Sequence, residues 1–238
     1  FDVGHFAMDY GDSLVIGNLD WHQTGRSFDG ARLHLAPKGS KYFADFFFTQ
    51  LSEGITTPAA NGTGGAPDTG AAAGDTYFTG VYTDLVKLLD PKLIFEPYVL
   101  AQIWATQEDV PRDAANPTAG TAKRRPAVQT TFGLRTLYDF GMFDARFEGG
   151  LQAGKRRVGF DNPDVLAYQL DGEVGLKFLD KKLRVSIEGL VASGDKASSK
   201  DKAEGWDELF PTAHKFLGLM DIIGPRTNIA SGVAHLTA

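Results

Sequence analysis

Apolar and polar residues alternate with a period of two along the second half of the chain. Between Met142 and Gly154, odd-numbered positions carry apolar or small residues such as Phe143 and Leu151, and even-numbered positions carry polar residues or glycine, such as Arg146 and Glu148. Successive side chains of a β-strand point to opposite faces, so this pattern separates the two sets cleanly. A helix would scatter them around its axis. The alternation therefore predicts a strand whose two faces meet different surroundings.

The same pattern recurs along the chain and predicts about eleven strands. It is clear at 166–178 and 183–191, weaker at 128–135 and 93–103, and mixed at 77–86. The weak stretch at 93–103 contains Pro97, which predicts a bulge or an unpaired site because proline cannot donate to the ladder.

The connections between these strands alternate in length. Short turns are predicted at 10–13, 37–41, 90–92, 139–141 and 180–182, and longer links at 23–30, 54–75, 107–126, 155–164 and 193–225. Outer-membrane barrels alternate tight periplasmic turns with longer outer loops. The chain is therefore predicted to be all-β, with residues 1–238 forming one transmembrane antiparallel β-barrel domain. A soluble β-sandwich is the alternative, but it would rarely sort its connections by length in this way.

Composition narrows the classes of function. No apolar run approaches the roughly 20 residues of a membrane-spanning helix, so a membrane protein of this sequence must be a closed barrel. The net charge of −6 argues against broad nucleic-acid binding, and the chain contains no cysteine. The five histidines lack metal-ligand spacing, and no nucleophilic serine stands in a recognisable setting. Neither an enzyme nor a cofactor is predicted.

Two stretches resemble a known family. One runs from Trp206 through Asp207, Phe210 and Pro211 to Gly218, and the other contains Asp20-Trp21, Gly25-Arg26 and Phe28–Arg32. Both are similar to the alginate export family of outer-membrane barrels. The resemblance implies a barrel with a charged lumen, partly obstructed by inward-folded segments, and characterised members carry an anionic polysaccharide outward.

The resemblance also implies a longer protein. Family members have more strands, and the final strands of a full barrel would follow Ala238. The sequence is therefore interpreted as a fragment that is incomplete at both ends, and a complete smaller barrel is the alternative.

Candidate pathway residues lie opposite the predicted lipid-facing side chains. They are Arg26, Arg32, Arg135, Arg146, Lys177 and Arg184. Arginine suits carboxylate recognition because its planar group donates two parallel hydrogen bonds to one acid. Two interpretations stay open for each: contact with an anionic solute, or pairing with carboxylates such as Asp144 and Glu148 on the same face.

The link near the chain's end is a candidate gate or plug. Its candidate residues are Trp206, Asp207, Phe210, His214 and Lys215. A loop that only covers the barrel mouth is the alternative. Basic clusters at 123–125 and 155–157 either contact lipopolysaccharide phosphates or are solvated loop charges.

These observations lead to one hypothesis with two rivals. The chain is predicted to be a bacterial outer-membrane channel that passes an anionic or polar solute, with export of an alginate-like polysaccharide as the specific form. The expected partners are outer-membrane lipid, lipopolysaccharide and the hydrophilic solute or polysaccharide. The rivals are a general or small-molecule porin and a structural barrel plugged by its own loops.

Overall fold

The computed structural model describes most of the chain. The described residues are 1–20, 22–23, 25–40, 42–52, 75–86, 90, 92–105, 108–111, 121–158, 161–196, 198, 201–212, 216, 218 and 225–238. These residues contain thirteen strands: β1 (Asp2–Phe6), β2 (Phe28–Leu35), β3 (Phe43–Ser52), β4 (Thr76–Asp84), β5 (Leu93–Trp104), β6 (Glu108–Pro111), β7 (Thr121–Arg124), β8 (Ala127–Asp139), β9 (Phe143–Lys155), β10 (Asp164–Phe178), β11 (Leu183–Ala192), β12 (Lys202–Ala203) and β13 (Ile229–Thr237).

Eleven of these strands form one sheet. Ten follow each other in the order β1-β2-β3-β4-β5-β8-β9-β10-β11-β13, and every neighbouring pair is antiparallel. The short strand β12 pairs in parallel with the start of β10. The sheet is not closed, and β1 and β13 are its two edges. The prediction of an all-β chain with about eleven strands in an antiparallel sheet is confirmed.

The two faces of the sheet are inverted relative to a soluble protein. On the outer face of β10 and β11, Leu166, Val174 and Ile187 are 63–65% exposed, whereas Gln169 and Asp171 on the other face are 1% exposed. Apolar side chains face outward and polar ones are buried because the outer face is suited to lipid and the inner face to other polar groups. The inner face therefore carries the buried polar and charged side chains.

Four short connections join the strands at one end of the sheet. They link β2 to β3, β4 to β5, β8 to β9 and β10 to β11 through three to eight residues, and the connections at the opposite end have eight residues or more. One of the longer links, 107–126, carries the two-stranded sheet of β6 and β7. The β4–β5 register ends at Tyr98, so Pro97, one residue earlier in β5, lies outside it. The pairing of Pro97 with β8 is regular.

The prediction of a strand-to-strand turn at 10–13 is wrong. A turn is present there, with the Ser13 amide donating to the Tyr10 carbonyl at 2.9 Å, but it belongs to a 21-residue connection between β1 and β2. Leu14, Val15 and Ile16 in this connection are buried in the main apolar cluster with the inner-face residues of β2 to β5. An apolar run that fills the interior looks the same in sequence as one that faces lipid, and this similarity caused the error.

Candidate functional site

Two segments of the chain lie against the inner face and against each other. The N-terminal inward segment is residues 8–19, and the C-terminal inward segment is residues 204–212. Ile16 and Phe210 form a parallel bridge between them. The Phe210 amide donates to the Val15 carbonyl at 3.0 Å, and the Gly17 amide donates to the Phe210 carbonyl at 2.8 Å. The two segments therefore form one unit inside the sheet.

The C-terminal inward segment is docked on a glycine and a glutamine of β9. The Trp206 ring lies over Gly150, where an added Cβ would come within 2.6 Å of the indole. The buried Gln152 side chain donates to the Asp207 carbonyl at 2.7 Å and accepts from the Asp207 amide at 2.9 Å. Asp207 also accepts from Gln129 of β8 at 3.1 Å. The candidate residues Trp206 and Asp207 thus contact the inner face of the sheet, and the choice between a gate or plug and a loop over the barrel mouth stays a prediction.

Aromatic packing fixes the other end of this segment. The Phe210 ring meets Phe78 of β4 with centroids 4.8 Å apart and Phe28 of β2 with centroids 5.3 Å apart. His214 and Lys215, the remaining candidates in this link, lie outside the described residues. Their proposed place at the tip of a gate stays a prediction.

Two arginines tie the inward segments together through backbone carbonyls. Arg26 donates to the carbonyls of Gly17 and Pro211, at 3.0 and 2.9 Å, and to that of Phe210. Arg226, only 2% exposed, donates to the Leu14 carbonyl and forms an ion pair with Glu208. Burial lowers the pKa of both guanidinium groups. Arg226 was missed by the sequence analysis because it belongs to no alternating stretch.

The strands of the main sheet form the wall around the inward segments. Each predicted pathway cation on the inner face of this wall is paired with at least one carboxylate. Arg146 is closest to Asp171, at 2.6 Å, and pairs with Glu188 at 3.1 Å. Arg184 pairs with Glu173 at 2.7 Å and Asp144 at 2.5 Å. The remaining wall pairs are Arg135 with Glu96 at 2.8 Å, Arg32 with Asp2 at 2.7 Å, and Lys177 with Asp139 and Asp144 at 3.1 Å each. These contacts fit the interpretation in which inner-face charges neutralise one another across strands.

A carboxylate of the N-terminal inward segment joins this network. Asp12 contacts Arg135 through two atoms, Nη2 at 3.1 Å and Nε at 3.2 Å, and it lies 3.4 Å from Nη1 of Arg146. Two wall arginines therefore converge on one acid that the wall itself does not supply.

Three tyrosine rings stack in parallel beside this acid. Tyr10 of the inward segment lies on Tyr82 of β4 with centroids 4.3 Å apart and an interplanar angle of 12°. Tyr82 in turn stacks on Tyr98 of β5 at 5.4 Å and 9°. Their hydroxyls donate to three different carboxylates, Asp45, Glu96 and Glu148. Tyr98 has room for its ring because the facing residue on β8 is Gly133.

One of the basic loop clusters turns inward. Arg156 donates to the side chains of Gln129 at 2.6 Å and Gln152 at 3.2 Å and to the Gly205 carbonyl at 2.9 Å. The interpretation of Arg156 as a solvated loop charge is therefore wrong, and lipopolysaccharide contact by the 155–157 cluster stays a prediction. Arg156 supports the C-terminal inward segment.

A sheet with an apolar outer face, a charged inner face and segments folded into its interior defines the class of membrane β-barrel proteins. The family model described as Alginate export matches residues 2–238, and the chain therefore belongs to the alginate export family. Members of this family are outer-membrane β-barrels that act as transport channels, not as catalysts. Comparison with the curated proteins and with the solved structures finds no match.

The described part of the chain contains neither a membrane-spanning helix nor a metal-binding cluster. No helix in that part of the chain is long and apolar enough to cross a membrane. Within the same residues, no group of three or more histidine, aspartate or glutamate side chains is arranged to hold a metal ion.

Proposed function

We propose that this chain forms the wall of a channel in the bacterial outer membrane that exports an anionic polysaccharide of the alginate type. Membership of the alginate export family supports an outer-membrane export channel. The observation that carries the choice of an anionic cargo is the convergence of Arg135 and Arg146 on one carboxylate at the inner face. A uronate chain offers one such carboxylate on every sugar.

The ion pairs of the wall suit passage better than tight binding. Each of Arg146, Arg184 and Lys177 already contacts at least two carboxylates. A polymer carboxylate would exchange with a wall carboxylate and would leave again when the wall partner returns. Conduction requires many sites of moderate strength in place of one strong site. In this proposal, Arg32, Arg135, Arg146, Lys177 and Arg184 line the path, and Arg26 holds the segment that obstructs it.

The outer face and the loops define the proposed partners. Exposed apolar side chains such as Phe132, Phe143 and Val174 would contact the acyl chains of the outer membrane. Lipopolysaccharide would meet the end of the sheet that carries the long connections, which is the outer side of a bacterial barrel.

The filled interior favours a second candidate, a structural barrel plugged by its own segments. Leu14, Ile16 and Trp206 are each at most 3% exposed within the sheet. If these segments never leave, the protein would conduct neither ions nor polysaccharide.

Single-channel recording of the full-length protein in a planar bilayer under a salt gradient separates these candidates. The export channel is expected to give current with anion preference that tetramannuronate blocks and that Arg135→Ala and Arg146→Ala weaken. Neutral maltotetraose is the control for size. Current that neither sugar affects would indicate a general porin, and a silent bilayer from heat-modifiable, folded protein would indicate the plugged barrel.

A further inference from the structure

The turn at Tyr10–Asp12 combines two chemical features that a uronate residue also combines. Tyr10 presents a flat ring, stacked on Tyr82 with centroids 4.3 Å apart. Two residues later, Asp12 presents a carboxylate to Arg135 and Arg146. A uronate consists of a pyranose ring, whose C–H face stacks on aromatic rings, and a carboxylate attached to that ring. The inner face therefore already binds one ring and one acid side by side.

The arginine contacts of Asp12 have the geometry of carboxylate recognition. Nε and Nη2 of Arg135 approach the two oxygens of Asp12 at 3.2 and 3.1 Å, so one edge of the guanidinium group meets the whole carboxylate. This two-point arrangement is the one that makes arginine specific for acids. A neutral sugar offers hydroxyl oxygens as acceptors but no carboxylate, so it would not make this charge-assisted two-point contact.

The wall keeps its own partners if this turn leaves. Arg135 retains Glu96 of β5 at 2.8 Å, and Arg146 retains Asp171 of β10 and Glu188 of β11 at 2.6 and 3.1 Å. Neither arginine would be left as an isolated charge, a state that would be strongly unfavourable. Asp12 is thus a removable partner.

The backbone connections of the N-terminal inward segment point the same way. Its described backbone hydrogen bonds run within the segment, as from Tyr10 to Ile16, to His22 and Arg26 of the same connection, or to the C-terminal inward segment at Phe210 and Thr212. The segment belongs to a 21-residue connection between β1 and β2. Its withdrawal would break no ladder of the main sheet.

We infer that the Tyr10–Asp12 turn is a pseudosubstrate, which occupies the subsite of one uronate residue formed by Tyr82, Arg135 and Arg146 and is displaced by the arriving polysaccharide. This inference rests on the proposed function, because it assumes that a uronate chain enters the interior. It adds a defined subsite and a means by which the cargo itself opens the channel.

Substitution of Asp12 tests the competition directly. Asp12→Asn removes the competing acid while keeping its size, so the apparent affinity of full-length protein for tetramannuronate is expected to rise about tenfold or more. Asp9→Asn is the matched control, because it removes the same charge from the same segment. The Asp9 side chain is exposed and accepts a hydrogen bond from Ser13 at 2.6 Å. Affinity measured by calorimetry in detergent should not change in this control.

A thiol placed in the segment tests displacement with Asp12 intact. The chain has no cysteine, and Met8 is fully buried, so Met8→Cys provides a single protected thiol. Tetramannuronate is expected to raise its rate of labelling by a maleimide, and maltotetraose is not. This second variant keeps the test valid if Asp12→Asn does not fold.

The outcomes separate the inference from the proposed function. If tetramannuronate binds and blocks the wild-type channel, but Asp12→Asn behaves like Asp9→Asn and the Met8→Cys thiol stays protected, the pseudosubstrate is refuted and the export channel stands. If tetramannuronate neither binds nor blocks, both are refuted.

Discussion

Replacement of Trp206 by alanine is the sharpest test of the docked inward segments. Trp206 is 3% exposed and packs with Val165, Ala167, Ala192 and Ala203 on the inner face. In the described part of the chain its Nε1 has no hydrogen-bond partner, so the substitution removes packing and no polar contact. Large-to-small changes of buried tryptophan cost about 3–5 kcal/mol.

This cost falls on local docking and spares the sheet. The C-terminal inward segment is held by Trp206, by Gln152, by the packing of Phe210, by arginine contacts and by the other inward segment. The antiparallel ladder between β9 and β10 does not involve residues 204–212. Since about 1.4 kcal/mol is a tenfold change in an equilibrium constant, the segment should open about a hundredfold to a few thousandfold more often.

Hydrogen exchange measures this opening residue by residue. The amides of Gly17, Phe210 and Thr212 bond between the two inward segments, so they should lose protection by that factor in Trp206→Ala. Phe143→Ala is the control, because it removes an aromatic ring from the outer face of β9. Equal protection of the three amides in both variants would refute the docking of this segment by Trp206.

Two further substitutions test the packing of the wall. Gly133→Ala should cost about 1–3 kcal/mol of stability, because the new Cβ would lie 2.1 Å from the Tyr98 ring. The heat-modifiable form should therefore be lost at a lower temperature. Gly189→Ala is the control, since no atom lies within 4 Å of the added Cβ, and an equal loss in both would contradict the argument. Val174→Arg places a charge on the lipid face and should cost about 2–4 kcal/mol in unfolding from lipid vesicles, unlike Lys181→Arg at a turn. An unchanged free energy of unfolding in Val174→Arg would show that this face does not meet lipid.

The strands and their two faces were readable from the sequence. A period of two is a local property, so Phe143, Arg146 and Glu148 report their faces within a few residues of one another. Four of the five predicted short turns lie at connections between neighbouring strands, and the family resemblance at Trp206–Gly218 is matched by the family model over the chain. The turn predicted to join two strands at 10–13 lies instead within the β1–β2 connection, because the apolar run at Leu14–Ile16 that follows it fills the interior.

Only the tertiary structure decided what occupies the interior. Asp12 meets Arg135 across 123 positions of sequence, and Arg226 meets the Leu14 carbonyl across 212. No local period encodes such contacts, because they depend on how the sheet brings its inner face to the inward segments. Gly150 is an example. In the sequence it is only a position without a side chain among polar residues, and in the structure the ring of Trp206 occupies the space that this leaves. The sequence by itself determined which residues form the strands and which face each occupies, because both follow from local alternation. Only the tertiary structure decided which segments fill the interior, because side chains distant in sequence meet only after the sheet has formed.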